Sequence, residues 1–261
     1  MGEHDKALAL YEDLIKRWPE RSQIQHSLLT SCEYAPHLSD GERLDKAKVW
    51  GQWAVARAGG LRARPSLQAL GQRPLRIGYV SADLCQHTVG LLLWPVLEAH
   101  DPKRVSVVAY HSGKTKDWLT EALAKCCTLR DVSALDDQAL AKQIRQDQID
   151  VLIDLSGHTG GTRLNALAWR PAPVMVSWLG YFATTGLPCM DAVVLDEWHA
   201  PAEVEPQFIE SILRLPSGRF CYRPAPWAPE SVSTVPSVKN GYITFGSFNN
   251  TAKLNDEVLN V

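Results

Sequence analysis

The 261-residue chain lacks any apolar run that approaches the roughly 18 residues of a membrane-spanning helix. Its first twenty residues, MGEHDKALALYEDLIKRWPE, carry too many charges for the hydrophobic region of a secretory signal. An excess of basic residues is also absent, because 27 Lys and Arg face 29 Asp and Glu, a formal net charge of −2. We therefore expect no nucleic-acid partner and no membrane association, since a basic surface is what attracts a nucleic-acid backbone or anionic lipid.

The cysteines lack both a CxxC pair and the spacing of a disulfide framework. There are six of them, at Cys32, Cys85, Cys126, Cys127, Cys189 and Cys221. In a chain of this size without a secretory signal such thiols are expected to stay reduced, which predicts a cytoplasmic protein. HxH and HExxH motifs are missing as well, so we expect no bound metal ion.

Residues 1–58 have the apolar spacing of three amphipathic helices, at 6–18, 22–34 and 41–58. The segment GEHDKALALYEDLIKRWPE resembles the last part of a tetratricopeptide repeat. The similarity between DKAL at 5–8 and DKAK at 45–48 is weak evidence for a repeat, because their spacing does not match the repeat length of about 34 residues. We interpret 1–58 as a tetratricopeptide-like helical stub that packs on the rest of the chain, since so few repeats are not stable alone.

After a linker at 59–74, rich in Gly, Pro and Arg, strand-like apolar runs alternate with helix-compatible stretches. The predicted strands lie at 75–81, 104–111, 150–156, 174–180, 191–196 and 211–216, and the helices at 90–100, 116–126 and 136–147. Such alternation is typical of βαβ units, so residues 75–240 predict an α/β lobe with a buried parallel sheet. A strand at 241–250 and a helix from residue 251 predict the start of a second lobe at 241–261.

Two histidines follow two different strands of this sheet, His87 in LRIGYVSADLCQH (75–87) and His158 in IDVLIDLSGHTGGTR (149–163). Ligands of open α/β sheets bind beyond the carboxyl ends of the strands, so we expect both side chains in one cleft, on the order of 10 Å apart or closer. His87 could act as a general base, as a hydrogen-bond donor to a phosphate, or as a structural cap of a helix. The glycines around His158 let backbone amides approach an anion, although a tight turn explains them as well.

Three charged residues have open roles. Asp154, in the strand before His158, is either the partner of a basic group or a site carboxylate. Asp83 either caps the turn before His87 or orients its ring. Lys253, in FNNTAKL, either neutralises a phosphate at a helix start or lies on the solvated surface.

Four blocks of the chain resemble, in the same order, those of the protein O-linked N-acetylglucosamine transferases and their SPINDLY relatives. They are LRIGYVSADLCQH, DVLIDLSGHTGGTR, RPAPVMVSWLGYFATTGLPCMD and ITFGSFNNTAKL. The resemblance covers roughly residues 75–261 and implies a GT-B fold, in which an active cleft separates two Rossmann-like lobes, the second truncated here. It also implies an inverting, metal-independent transfer of a sugar from a nucleotide donor to Ser or Thr hydroxyls of protein or peptide acceptors.

The resemblance assigns roles near the acceptor. It places His87 at the catalytic cleft, and His158 with Thr159 in the loop facing the sugar and the acceptor. The acceptor hydroxyl needs a proton route, for which His87 is the first candidate and Asp154 or His158 the alternatives.

On the donor side, Lys253 matches the lysine that contacts the diphosphate, with Asn250 as a neighbouring polar contact, and Thr159 is a further donor-binding residue. A cation at a helix start suits the charge that develops on a nucleotide leaving without a metal. We expect no cofactor besides the donor, which is UDP-N-acetylglucosamine or GDP-fucose. The blocks look closer to SPINDLY, whose plant members use GDP-fucose, but N-acetylglucosamine is the commoner activity of the group and is the sugar we predict.

The chain departs from the family in two places. Leu91 stands where the animal enzymes have the second histidine of SADxxxHxxxH. The family also continues for about another lobe beyond the lysine, so we expect this chain alone to show little or no transfer. The rival interpretation is a non-catalytic module that holds protein partners; a flavodoxin-like nucleotide binder leaves the RPAP and SFNN blocks unexplained.

Overall fold

A computed structural model describes residues 3–69, 71–231 and 234–246, together with residues 248, 250 and 253. Three helices come first, α1 (His4–Arg17), α2 (Ser22–Cys32) and α3 (Asp40–Arg57). They confirm the three predicted helices to within two residues at each end. Ser39 begins α3 through a capping box with Glu42, in which each side chain bonds the other residue's backbone N–H.

Strands and helices then alternate, as the apolar pattern predicts. The strands are β1 (Leu75–Ser81), β2 (Val105–His111), β3 (Thr128–Asp131), β4 (Val151–Asp154), β5 (Val174–Trp178), β6 (Ala192–Leu195) and β7 (Ser211–Arg214). The helices are α4 (Thr88–Ala99), α5 (Trp118–Cys126), α6 (Asp137–Gln146), α7 (Leu164–Leu167) and α8 (Pro236–Asn240), with a 3-10 helix at Ala202–Gln207. No helix of the described residues is long and apolar enough to cross a membrane.

The seven strands form one parallel sheet in the order β3-β2-β1-β4-β5-β6-β7. Neighbouring residues of β1 face opposite sides of the sheet, since Val80 and Tyr79 belong to different core clusters. Helices α3, α6 and α7 pack into the cluster of Val80, and α4 and α5 into that of Tyr79. Helices therefore cover both faces of a doubly wound sheet, which confirms the predicted α/β fold.

The structure contains four short elements that the sequence does not predict: strand β3, helices α7 and α8, and the 3-10 helix. Strand β3 is missed because TLRD is short, polar at three of its four positions and at the edge of the sheet. At 241–250, where a strand is predicted, the described residues 241–246, 248 and 250 form none. A strand is stable only with a hydrogen-bonded partner, which an apolar pattern does not supply. The helix predicted from residue 251 lies, except for Lys253, outside the described residues.

The helical stub packs directly on the α/β lobe, as expected. A Cβ atom added to Gly51 of α3 would overlap the carbonyl oxygen of Gly186, and one added to Gly186 would overlap the carbonyl group of Ala47. Gly186 also has φ +69°, a conformation that side chains disfavour. Two glycines thus bring the backbones of helix and loop into contact.

The predicted linker at 59–74 contains neither helix nor strand in its described residues. It is nonetheless fixed to the lobe by two ion pairs, Arg64 with Asp191 and Arg73 with Asp150.

Candidate functional site

The candidate site lies where the order of the strands reverses. β1 and β4 are neighbours at the centre of the sheet, but the chain leaves β1 towards one edge and β4 towards the other. Their carboxyl-end loops therefore diverge and leave a crevice, which is where open α/β sheets bind ligands. Both predicted histidines follow these two strands, His87 after β1 and His158 after β4.

The two loops contact each other at their base. The Oγ atoms of Ser81 and Ser156 are 3.4 Å apart. A Cβ atom on Gly161, which has φ +75°, would overlap the side chain of Ala82. Gly157 has φ +53°, and a Cβ atom there would overlap the ring of Tyr181. The glycines of the loop after β4 therefore serve close packing as well as turn formation.

His87 is the N-cap residue of α4 and is half exposed. Its Nδ1 accepts a hydrogen bond of 3.3 Å from the backbone N–H of Val89 and lies 3.8 Å from the Asp83 carboxylate. Because a backbone N–H only donates, Nδ1 is unprotonated in this arrangement, and neutral His87 carries its proton on Nε2. The capping role is therefore present. The ring is held by this bond on the side that faces the carboxylate of Asp83.

His158 is buried and bonded at both ring nitrogens. Its Nε2 lies 2.9 Å from the carbonyl oxygen of Thr185, and its Nδ1 lies 2.7 Å from Nδ1 of His26 in α2. A carbonyl only accepts, so Nε2 of His158 carries the proton and Nδ1 accepts from His26. The edge of the Trp50 ring packs against the same imidazole. In this structure His158 joins the glycine loop to the helical stub.

Burial keeps both members of this pair neutral. It lowers the pKa of His158 to about 3, helped by the charge of His26 and opposed by the bond to Thr185. It also lowers the pKa of His26 to about 4, against a hydrogen bond with Asn165. The short Nδ1–Nδ1 contact requires one unprotonated Nδ1, which neutral His158 supplies, because two imidazolium ions would both donate and repel each other.

Asp154 is fully buried at the end of β4. Its Oδ2 accepts a 2.6 Å hydrogen bond from the backbone N–H of Gly157, whereas Oδ1 has no partner within the described residues. Burial raises the pKa of Asp154 to about 7, although the backbone N–H groups of Gly157 and Ser156 lower it. Its neighbour across the ladder, Ser177, also has an unpartnered buried oxygen among the described residues. The sequence leaves two roles open for Asp154, the partner of a basic group or a site carboxylate. The described part of the structure shows no basic partner for it.

A buried carboxylate holds the loop after β5. Glu210 accepts hydrogen bonds from the Thr184 hydroxyl (2.6 Å) and from the backbone N–H (2.8 Å) and hydroxyl of Thr185. Because the Thr185 carbonyl accepts from His158, hydrogen bonds connect Glu210, Thr185, His158 and His26 in series. The sequence gives no sign of this series, because its members lie on four separate segments.

A polar cavity of about 710 Å³ opens between α2 and the glycine loop. Ser27 and Thr30 of α2 face Thr159, Thr162 and the buried His158 across it. The Thr159 hydroxyl donates a 2.6 Å bond to the carbonyl of Ser156, which fixes its position. The cavity combines hydroxyl groups with backbone of the glycine loop, a lining suited to a polar, extended ligand.

Four other predicted site residues, His87, Asp154, Asn250 and Lys253, do not line this cavity. Exposed Lys253 lines a different cavity of about 320 Å³ with Glu33, Arg43 and Phe182, and Asn250 is also exposed. Among the described residues no group of three or more His, Cys, Asp or Glu could hold a metal ion.

Comparison with known proteins then gives the family. The model of glycosyl transferase family 41 matches residues 57–222. The chain belongs to glycosyl transferase family 41. This confirms the resemblance to O-linked N-acetylglucosamine transferases and SPINDLY proteins stated from the sequence blocks.

Two relatives and one solved structure define the match. A rice protein (Oryza sativa subsp. japonica), named as a probable UDP-N-acetylglucosamine–peptide N-acetylglucosaminyltransferase SPINDLY, is 33% identical over 96% of this chain and 27% of its own length. A protein of the same name from Eustoma exaltatum subsp. russellianum is 40% identical over 73% of this chain and 21% of its own length. A mutant O-GlcNAc transferase from Thermobaculum terrenum has TM-score 0.87 and 32% identity, over 99% of this chain and 49% of that one. The chain thus spans about a quarter of these relatives and half of that enzyme, and its fold matches part of a GT-B glycosyltransferase.

Proposed function

We propose that this chain is part of a glycosyltransferase that moves N-acetylglucosamine from UDP-N-acetylglucosamine to Ser or Thr hydroxyls of proteins. The membership in family 41 and the names of the SPINDLY and O-GlcNAc transferase relatives support this activity. The observation that carries the proposal is the hydroxyl-lined cavity at the carboxyl edge of the sheet, beside the strand-order reversal. Its position between helical stub and lobe suits an extended peptide acceptor.

The residues divide into two roles in this proposal. Around the acceptor, His87 releases the Val89 N–H and takes the hydroxyl proton at Nδ1 as the oxygen attacks the anomeric carbon, with inversion, and Asp154 or His158 are the alternatives. Thr159, in the loop after β4, is a donor contact on the sugar side of the cavity. On the donor side, Lys253 and Asn250 contact the diphosphate, and the Lys253 ammonium balances the charge on the leaving nucleotide without a metal.

A prediction for His87 follows in a longer, active version of the protein. His87→Ala should lower turnover by roughly 10²–10⁴-fold, the usual effect of losing a positioned proton acceptor. Its stability should change little, because the side chain is half exposed and contributes one 3.3 Å capping bond. Steady-state kinetics and thermal unfolding measure the two effects. A His87→Ala enzyme with normal turnover would remove His87 from the mechanism.

In the same longer version, Lys253→Ala should mainly impair the use of the nucleotide-sugar donor.

A competition assay tests the function itself. A longer version is incubated with a Ser/Thr peptide and equal amounts of UDP-N-acetylglucosamine and GDP-fucose, and the product mass identifies the sugar. We expect N-acetylglucosamine on the peptide. Fucose would establish the alternative donor, and no transfer from either would favour the non-catalytic binding module.

The described chain is proposed to be inactive by itself, because a GT-B site needs two lobes to hold the donor and exclude water. The match of this chain to only 49% of the solved transferase supports this. Clear turnover by the 261-residue chain would contradict it. The tetratricopeptide assignment of 1–58 and the cytoplasmic location stay predictions.

A further inference from the structure

A second polar cavity lies at the opposite edge of the sheet, and we refer to it as the amino-edge pocket. Its volume is about 630 Å³. Ile149 and Asp150 line it directly before β4, and Pro171 and Pro173 line it directly before β5. Because the strands are parallel, this pocket opens away from the loops that follow β1 and β4. Neither His87 nor any residue that lines the cavity between α2 and the glycine loop lines the amino-edge pocket.

Two arginines from separate segments face this pocket, Arg62 of the 59–74 segment and Arg145 of α6. Partial desolvation lowers the pKa of the Arg145 guanidinium, although the residue is exposed, and the nearby positive charge of Arg62 lowers it further. Neither arginine makes an ion pair within the described residues. The pocket therefore holds two like charges close to each other with no protein carboxylate to balance them.

Backbone carbonyls hold both side chains in place. Arg62 Nη2 donates a 2.7 Å bond to the carbonyl of Ala58, and Arg145 Nη2 donates to the carbonyl of Trp169. Each bond uses one nitrogen of a guanidinium that has five N–H donors. The remaining donors of both groups are available to a ligand, and their positions are already constrained.

The carboxylate of the pocket does not neutralise these arginines. Asp150 accepts bonds of 2.7 and 2.8 Å from the two terminal nitrogens of Arg73, and its Oδ2 also accepts from the backbone N–H of Arg76. The Arg73 hydrogen bonds are the main reason why the pKa of Asp150 is lowered. Asp150 and Arg73 thus form a closed pair, which leaves the charges of Arg62 and Arg145 uncompensated.

We propose that the amino-edge pocket binds a phosphoryl group through Arg62 and Arg145. A phosphate monoester carries a charge of about −1.5 to −2 and three acceptor oxygens, so it can balance both guanidinium groups at once. A carboxylate carries one charge and would leave the other arginine unbalanced. Pro171 and Pro173 have no backbone N–H and form an apolar wall for the group that carries the phosphate. The remaining volume admits a small phosphorylated molecule or a phosphorylated side chain.

Titration of the purified chain with inorganic phosphate, followed by ³¹P NMR, tests the site. We expect saturable binding that is stronger than the binding of acetate. Arg62→Ala and Arg145→Ala should each weaken it about tenfold or more, as expected for losing a charge-assisted hydrogen bond. The matched control is Arg104→Ala, which removes another exposed arginine from the same edge of the sheet, before β2. It should leave phosphate binding unchanged.

Several outcomes would overturn the proposal. They are no saturation by phosphate, equal affinity for phosphate and acetate, or equal weakening by Arg104→Ala. Arg145 also bonds the carbonyl of Trp169, so each variant's thermal unfolding is recorded, and Arg62→Ala decides the result if Arg145→Ala does not fold. A phosphoserine peptide and its unphosphorylated form, titrated in parallel, separate a protein ligand from a small molecule.

Discussion

The fold strongly changes the acid–base chemistry of Asp154. An aspartate at this depth is costly to ionise, and two backbone N–H groups only partly compensate, so the pKa of Asp154 is raised to about 7. Around neutral pH the carboxyl group can therefore lose or gain a proton. It lies at the end of β4, at the strand-order reversal, where a carboxyl group with a shifted pKa is a candidate for proton transfer.

The raised pKa predicts a specific pH dependence of stability. In the unfolded chain the carboxyl ionises with a pKa near its ordinary value of 3.8, whereas in the folded chain it keeps its proton up to about pH 7. The folded state thus binds more protons between these values, and stability falls as pH rises from about 4 to 7, at up to about 1.4 kcal/mol per pH unit. Asp154→Asn should remove this slope, because the amide does not ionise.

Urea unfolding of both proteins from pH 4 to pH 8 measures this effect. The difference in unfolding free energy, wild type minus Asp154→Asn, should decrease with rising pH and level off above pH 7. Other titrating groups cancel in the difference. A difference that is flat with pH would show that Asp154 is ionised in the folded protein.

At the residue scale the sequence indicates the candidate residues that follow the strands better than the residue of α2 that contacts them. His87, Asp154 and His158 could be found because each follows or ends a strand with a clear apolar pattern. His26 could not, because it lies on an amphipathic helix 132 positions from its partner, and helical periodicity does not indicate which residue of another segment it contacts. The burial of His158 was hidden for the same reason.

The helix α3 shows how two glycines determine a contact between elements. Gly51 lies in the middle of α3, where glycine is a poor helix former, and no local turn explains it. The explanation is tertiary, since the carbonyl oxygen of Gly186 occupies the space of a Cβ atom. Gly51 therefore lowers the intrinsic stability of the helix but allows it to pack closely against the loop that carries Thr184 and Thr185.

Two substitutions in this one helix should have opposite effects. Gly51→Ala should destabilise the protein by about 1–3 kcal/mol, because neither backbone can move away freely. Gly41→Ala is the matched control, since nothing lies within 4 Å of its Cβ position, and it should be neutral or stabilising by up to about 1 kcal/mol. Urea unfolding of the three proteins measures both. Equal effects of the two changes would contradict the close packing of α3.

Elements with strong periodicity were predicted well and those that depend on pairing were not. The three amino-terminal helices and strand β1 have patterns long enough to identify their type. Strand β3 has four residues, and its strand conformation comes from pairing with β2. The run GYITFGSFNN has a strand-like composition, but its described residues are not paired with the sheet.

At the scale of the whole molecule, one series of hydrogen bonds crosses from the sheet to the helical stub. It runs from Glu210, just before β7, through Thr185 and His158 to His26 in α2. Every link is buried, so each polar group depends on its partner for hydrogen bonding. The wall that His158 forms in the cavity between α2 and the glycine loop is thus held by residues of both the helical stub and the α/β lobe.

Removing the first link should therefore loosen α2, although Glu210 shares no hydrogen bond with this helix in the described part of the chain. Glu210→Ala leaves the Thr184 and Thr185 hydroxyls and one backbone N–H without their acceptor, which should destabilise the protein by about 2 kcal/mol or more. Hydrogen–deuterium exchange should become faster in the loop at 184–186, in the glycine loop at 157–162 and in α2. Glu205→Ala is the control, because Glu205 forms only an exposed ion pair with Arg214, and its exchange pattern should match the wild type. Faster exchange confined to 184–186 in Glu210→Ala would mean that His158 holds its orientation without Thr185, and that the stub is docked by the glycine contacts of α3 alone.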